Sequence, residues 1–384
     1  TTRAIYLQGG KAENIFGGSD SNGTVTASHV YIQSGNATNV YGGNNVNGQT
    51  NESFVYITGG TSTNVYGGGY KATTPTTHVN LTGGVITNGF GGGNAANVTN
   101  SNIILDGTLS ANIYGGSNSS GTVSLSNVLI SSGTATDVYG GNNEGGNTVN
   151  TNVTINSGVE NVYGGGNQAQ TSGNTNVLVN STVSKVYGGG NEAITSGNTY
   201  LRLTNSTVTS HAYGGGNGSA AIVNGNSITI VEGTTTINGD LFGGGNAAAN
   251  GTTQNNNSIV TTLISGGTIR GDVYGAANTS VVYGETRVKI GSNVVDNNTM
   301  IKNNIQIDGT VFGGGKSNTA GSETYDFTFE SVTGDAKIDI DATGYDDGTN
   351  TFNINRSIFG SGNAAKISGY GIVNINNYGS ANNS

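Results

Sequence analysis

Val162-Tyr163-Gly164-Gly165-Gly166-Asn167 is one clean copy of a hexapeptide that returns along the whole chain. Its aromatic recurs at Phe16, Tyr41, Tyr66, Phe90, Tyr114, Tyr139, Tyr163, Tyr187, Tyr213, Phe242, Tyr274, Phe312 and Phe359. The first eight aromatics lie 24 or 25 residues apart, the sequence sign of a repeat array. Upstream of each lies a short stretch with two alternate apolar residues: Ile5/Leu7, Val30/Ile32, Val55/Ile57, Val79/Leu81, Ile103/Leu105, Val128/Ile130, Val153/Ile155, Val177/Val179, Leu201/Leu203 and Ile228/Ile230. The pattern continues less regularly at Thr262/Ile264, Val288/Ile290, Ile338/Ile340 and Val373/Ile375. Alternation places each pair on one face of a strand. Glycine turns follow, as at Ser34-Gly35, Gly59-Gly60 and Gly83-Gly84. Helix does not fit, because repeats this rich in Gly, Asn, Ser and Thr offer no amphipathic stripe.

Short strands that each pair with their copy one turn later do fit, stacking in parallel at about 4.8 Å per rung. Parallel crossovers are right-handed in about 98% of cases. The expectation is an all-β, right-handed parallel β-helix of about 13–14 rungs, each of about 24–25 residues. One solenoid covers 1–384, with regular rungs over 1–219 and longer loop insertions over 220–384. Insertions in a solenoid go into loops, and here they fall near 243–258, 291–304, 316–337 and 341–351.

Glycine fills 68 of 384 positions, and charged residues only 9%, so the polar surface must be Asn, Ser and Thr. Low charge can mean disorder, but disorder does not hold apolar residues in register. The net charge of −9 argues against nucleic acid. No apolar run approaches the roughly 20 residues of a membrane span. The absence of cysteine removes disulfides and thiolate metal sites. No signal peptide is seen, so a secreted protein would be present in processed form.

Between the two inward residues of the first strand one side chain must face out: Tyr6, Tyr31, Tyr56, Asn80, Ile104, Leu129, Thr154, Leu178 and Arg202. The aromatic and aliphatic members, Tyr6, Tyr31, Tyr56, Ile104, Leu129 and Leu178, form a contact stripe. His29 and His78 also turn outward. For the repeat tyrosines two arrangements are open: outward beside an inward Val40, Val65 or Val138, or tucked into a corner where the chain bends. Four residues beyond the aromatic an asparagine recurs, including Asn94, Asn143, Asn167, Asn191, Asn217 and Asn246. Stacked identical amides can bond up and down the array, a structural ladder.

Candidate chemistry is sparse. Asp240 and Asp272 occupy one place in adjacent rungs, with Arg270 near, and could pass for a glycosidase pair. The same place holds Asn or an unrelated polar residue in most rungs, which favours a solvated outer position. Asp339, Asp341, Asp346 and Asp347 form the densest acidic stretch and are the only calcium candidates, without matching a known calcium loop. Gly313-Gly314-Gly315-Lys316-Ser317 looks superficially like the end of a phosphate-binding loop, but Thr310 stands where the leading glycine should be. No catalytic residue and no other cofactor is expected.

The alternation of x-Val-x-Ile-x-Ser-Gly with Asn-Val-Tyr-Gly-Gly-Gly-Asn-x-Ala is clearest at Asn161–Asn167 with Gln168-Ala169, at Gly190-Asn191-Glu192-Ala193 and at Gly245-Asn246-Ala247-Ala248. It resembles the β-strand-repeat surface proteins of Gram-positive, often gut-dwelling, bacteria. The resemblance covers nearly the whole chain and implies an extracellular adhesive or scaffolding part at the cell surface. Strands at Ala4–Leu7 and Gly371–Ile375 carry no cap, so copies are expected to add head to tail. The expected function is therefore self-association into filaments or a surface layer, through ends and stripe. The alternatives are a carbohydrate-binding adhesin using the tyrosines and, behind it, a polysaccharide lyase or hydrolase on a β-helix scaffold.

Overall fold

The computed structural model describes all residues except 292–293, 296–297, 300, 317–328, 344, 346–348 and 377–384, and describes 108–110, 294–295 and 298–299 by backbone alone. The described chain is all β, without a helix, and its coils stack as a parallel β-solenoid of about 11 turns. The chain divides into two compact units, Thr1–Val177 and Leu178–Ser384.

In the first unit the strands Thr2–Phe16, Gly23–Tyr41, Gly48–Tyr66, Thr76–Phe90, Val98–Tyr114 and Thr122–Tyr139 pair in parallel, each with the next. Asn147–Ile155 and Gly158–Tyr163 then pair with Thr122–Tyr139. Equivalent residues stand opposite one another: Val30 beside Val55, Ile32 beside Ile57, Tyr41 beside Tyr66. The long strands run through a corner at Gly35, Gly60 and Gly84, where φ is +84°, +75° and +84°. Only glycine adopts that backbone readily.

Three buried columns make the interior. The alternate Val, Ile and Leu pairs are buried, as the period of two requires. A second column was not anticipated: Ser28, Ser53, Thr77, Ser101, Ser126 and Thr151, two residues before each leading apolar residue. Each hydroxyl donates to the carbonyl of the glycine after the aromatic, for example Ser53 to Gly67 at 2.5 Å, Thr77 to Gly91 at 2.6 Å and Ser126 to Gly140 at 2.6 Å. A buried carbonyl left bare would cost about 1–3 kcal/mol, so the hydroxyl fixes the bend. The Ser or Thr at this spacing in six consecutive rungs was the available signal. The aromatics form the third column. They are tucked into the corner: Val40, Tyr41, Val65 and Tyr66 are all buried. Their rings stack from Phe16 to Tyr163 at 4.7–4.9 Å. Burial first, then the neighbouring Tyr70, pushes the Tyr41 hydroxyl up to about 12.

The second unit keeps the same columns with longer connections. Thr199–Thr204, Ser227–Glu232, Ser258–Ile264, Gly284–Ile290, Ala336–Asp341 and Gly371–Asn376 pair in parallel. So do Ala212–Tyr213, Leu241–Phe242, Val273–Tyr274, Val311–Phe312 and Ile358–Phe359. One sequence assignment is corrected here. Leu201 and Leu203 stand beside Thr229 and Val231, so Ile228 and Ile230 lie on the outer face, beside Tyr200 and Arg202. The inward strand is fixed by Ser227, whose hydroxyl accepts from Thr199 Oγ1 at 2.8 Å and continues the hydroxyl column. A slip of one residue exchanges the two faces of a strand.

Candidate functional site

The strand-and-corner frame sets the outer face of the first unit. Because the strands are parallel and in register, outward residues form columns at the inter-rung spacing. Tyr6, Tyr31 and Tyr56 stack with ring centroids 4.8 and 5.0 Å apart and planes within 9°. Beside them His29, Phe54 and His78 form a second ladder, at 4.7 Å in both steps. The two ladders lie 6.3–6.5 Å apart. His29 and His78 were expected outward; Phe54 completes the column, and its position just before Val55 carried that signal. Tyr6 is 58% exposed, and Tyr31, Tyr56, Ile104 and Leu129 are half-buried. Between Tyr56 and Ile104 the smaller Asn80 leaves a shallow depression, walled also by Phe54, His78 and Asn102. Charge on this face is slight: Glu52 sits 3.2 Å from His78 Nε2. Leu178, half-buried, belongs to the second unit.

Asparagines tie the rungs. In the first unit Asn118 donates to Asn94 at 3.0 Å, Asn143 to Asn118 at 2.8 Å and Asn167 to Asn143 at 2.9 Å. In the second, Asn217 donates to Asn191 at 2.7 Å, Asn246 to Asn217 and Asn278 to Asn246, both at 2.9 Å. A further ladder, two residues before the aromatic, runs through Asn14, Asn39, Asn64 and Asn88 at 2.9–3.0 Å.

The same column carries His211, Asp240 and Asp272 in the second unit. Each clips the next rung through its backbone: His211 Nδ1 accepts from Asp240 N at 2.8 Å, Asp240 Oδ1 from Asp272 N at 2.9 Å, and Asp272 Oδ1 from Thr310 N at 2.8 Å. The remaining oxygens are also engaged, Asp240 Oδ2 by Lys316 Nζ at 3.1 Å and Asp272 Oδ2 by the Tyr274 hydroxyl at 3.1 Å. These carboxylates hold rungs together. Lys316, which follows the Gly313–Gly315 run, turns its ammonium to Asp240.

His211 makes the corner acid-sensitive. Burial lowers its pKa below the ordinary 6.5; Asp240 opposes this, while Lys316 and Lys185 reinforce it. A histidine held neutral in the fold contributes stability above the unfolded pKa and loses it as pH falls. The melting temperature should therefore drop on going from pH 7 to pH 5.5, and His211→Asn, which restores the amide found in other rungs, should shrink that drop.

The calcium candidates are placed only in part. Asp339 accepts from Asn374 Nδ2 at 2.7 Å, and Asp341 accepts from both the amide and the hydroxyl of Thr343. Asp346 and Asp347 lie outside the described residues. Among the described residues no group of three acidic or histidine side chains is gathered to hold a metal ion.

The insertions meet the solenoid at Glu232, a residue the sequence did not single out. It is fully buried, yet it accepts from Arg202 Nε at 2.7 Å, Thr204 Oγ1 at 2.7 Å and Ile301 N at 2.8 Å. Beside it the outer-face residues Ile230 and Leu263 are buried, with Tyr200 and Ile228 against them.

No family model, no curated protein and no solved structure matches this chain. The class is therefore defined by the fold and its surface alone: a parallel β-solenoid with an outward aromatic stripe.

Proposed function

We propose that this chain is an extracellular structural protein that self-associates side by side through the stripe of its first unit. The observation that carries this is the orientation of the rings. Stacked at 4.8–5.0 Å, Tyr6, Tyr31 and Tyr56 cover one another's faces and offer their edges outward. A sugar ring binds an aromatic face, so the ladder is poorly disposed as a glycan platform. Ring edges and branched side chains suit another sheet packed face to face. A second copy has the same rise, so its columns can match this one rung by rung over the whole stripe. The depression at Asn80 can take a large side chain from that copy. The low charge of the face removes the main penalty for drying it. The likeness of the repeats to bacterial β-strand-repeat surface proteins supports a cell-surface setting, where cysteine-free, charge-poor chains are at home.

Sedimentation velocity and electron microscopy over a concentration series test the reading. The unaltered protein should form laterally paired species that grow with concentration. The double variant Tyr31→Glu/Leu129→Glu should stay single, because each carboxylate would have to be dried against an apolar face. Single particles of the unaltered protein at high concentration, or equal assembly of the variant, would overturn it.

A further inference from the structure

We infer that the tyrosine ladder of the first unit is a site of oxidative cross-linking, at which Tyr31 couples to Tyr6 or Tyr56 as dityrosine. Two independent features lead there. The first is composition: the chain has no cysteine, no tryptophan and a single methionine, so little else is present to take up one-electron oxidation. The second is placement. Elsewhere among the described residues the stacked tyrosines of adjacent rungs, such as Tyr41 and Tyr66 or Tyr139 and Tyr163, are buried in the corner. Tyr6, Tyr31 and Tyr56 are the run that reaches the surface, with Tyr6 58% exposed. Their centroids are 4.8 and 5.0 Å apart, close to the separation of the two rings in a biaryl. Coupling needs the rings to swing about Cβ–Cγ from stacked to edge-joined, while the backbones keep their register.

The oxidant is a peroxide acting through a peroxidase. Each phenol gives up one electron and its hydroxyl proton, leaving a phenoxyl radical. Two radicals join through ortho carbons, and the hydrogen on each of those carbons moves to its oxygen, restoring both phenols. Two electrons and two protons leave in all, and one hydrogen peroxide takes them to form two waters. A ladder of stacked rings also lets the radical migrate until a neighbour is oxidised, which favours coupling over hydroxylation. The product is a covalent staple between consecutive rungs.

The experiment uses horseradish-type peroxidase and hydrogen peroxide on the full chain, followed by dityrosine fluorescence and mass-spectrometric mapping of cross-linked peptides. At high dilution the expected product is an intrachain link joining the Tyr31 peptide to that of Tyr6 or Tyr56. Tyr31→Phe keeps the ring stack, removes the shared partner and should reduce the signal to background. Tyr370→Phe, at an exposed tyrosine elsewhere, should leave it unchanged, and circular dichroism confirms that both variants fold. Links that map elsewhere, a Tyr31→Phe variant that fluoresces like the unaltered protein, or no dityrosine at all would each overturn the assignment. At high concentration, interchain links between ladders would support the self-association proposed above. Intrachain links without interchain ones would sink that association and leave the staple standing.

Discussion

Gly67→Ala is expected to destabilise the first unit by about 3 kcal/mol, the upper end of what overpacking a tight interior costs. A Cβ on Gly67 would lie 2.3 Å from the Gly91 carbonyl oxygen, 2.8 Å from Thr77 Cβ and 2.9 Å from Val79 Cγ2. None of these can yield. The Gly91 carbonyl already accepts from the Thr77 hydroxyl at 2.6 Å, and Val79 is buried. The methyl would separate two rungs at the bend on which the aromatic column rests. Gly158→Ala is the comparison: the nearest atom to its Cβ would be Thr134 Cγ2 at 3.9 Å, an ordinary contact. There alanine should be neutral or stabilise by roughly 0.5–1 kcal/mol, since glycine in a strand gives up the most chain entropy. Repeat arrays can unfold in parts. Urea titration should therefore be paired with hydrogen exchange, in which the Gly67 amide, bonded to Phe90 O at 2.9 Å, loses protection in the first variant. Equal effects of the two substitutions would refute the account of the corner.

Arg202→Met should reverse the sign of one pH dependence in the second unit. Burial raises the Glu232 pKa, but the bonds from Arg202, Ile301 and Thr204 together hold it below the ordinary 4.5. A depressed carboxylate contributes stability above the unfolded pKa and loses it as pH falls through the folded one. In Arg202→Met the charge that opposed burial is gone, so the folded pKa rises above the unfolded value. Stability should then be lowest at neutral pH, by about 3 kcal/mol relative to the unaltered chain, because a buried carboxylate has lost its partner. It should recover as pH falls and Glu232 takes up a proton. The checking measurement is the difference in melting temperature between variant and unaltered protein from pH 7 to pH 5, which should narrow. Adding Glu232→Gln to Arg202→Met should flatten it. A difference independent of pH would show that Arg202 contributes packing and not charge.

The two predictions differ in how visible their causes are in the sequence. Gly67 stands in a recurring Tyr-Gly-Gly, and the recurrence alone marks a corner. The clasp at Glu232 joins Arg202, Thr204 and Ile301 across separations of up to 69 residues, with irregular loops between. No period announces it. Asp240 and Asp272 lie between these cases. Their shared position in adjacent rungs was legible, but not that His211, Asp240 and Asp272 each clip the next rung through its backbone amide. The outward stripe was legible from alternation, whereas the ring-on-ring stacking that hides the faces and leaves the edges is set only in the tertiary structure.

By itself the sequence determined the rung: its period, its alternate apolar pairs, its glycine bends and its columns of like residues. Those follow from local rules, since a strand has a period of two and equal segments stacked in parallel must bring equal side chains together. The tertiary structure decided the matters in which two local solutions were nearly equal. It tucked Tyr41 and Tyr66 into the corner because a hydroxyl clamps the glycine carbonyl that follows each. It turned Ile228 and Ile230 outward because Ser227 had to join the buried hydroxyl column. In the first place the deciding hydrogen bond closes across one rung, over 14 residues, and in the second it joins two rungs over 28, so neither choice is a matter of immediate neighbours in the chain.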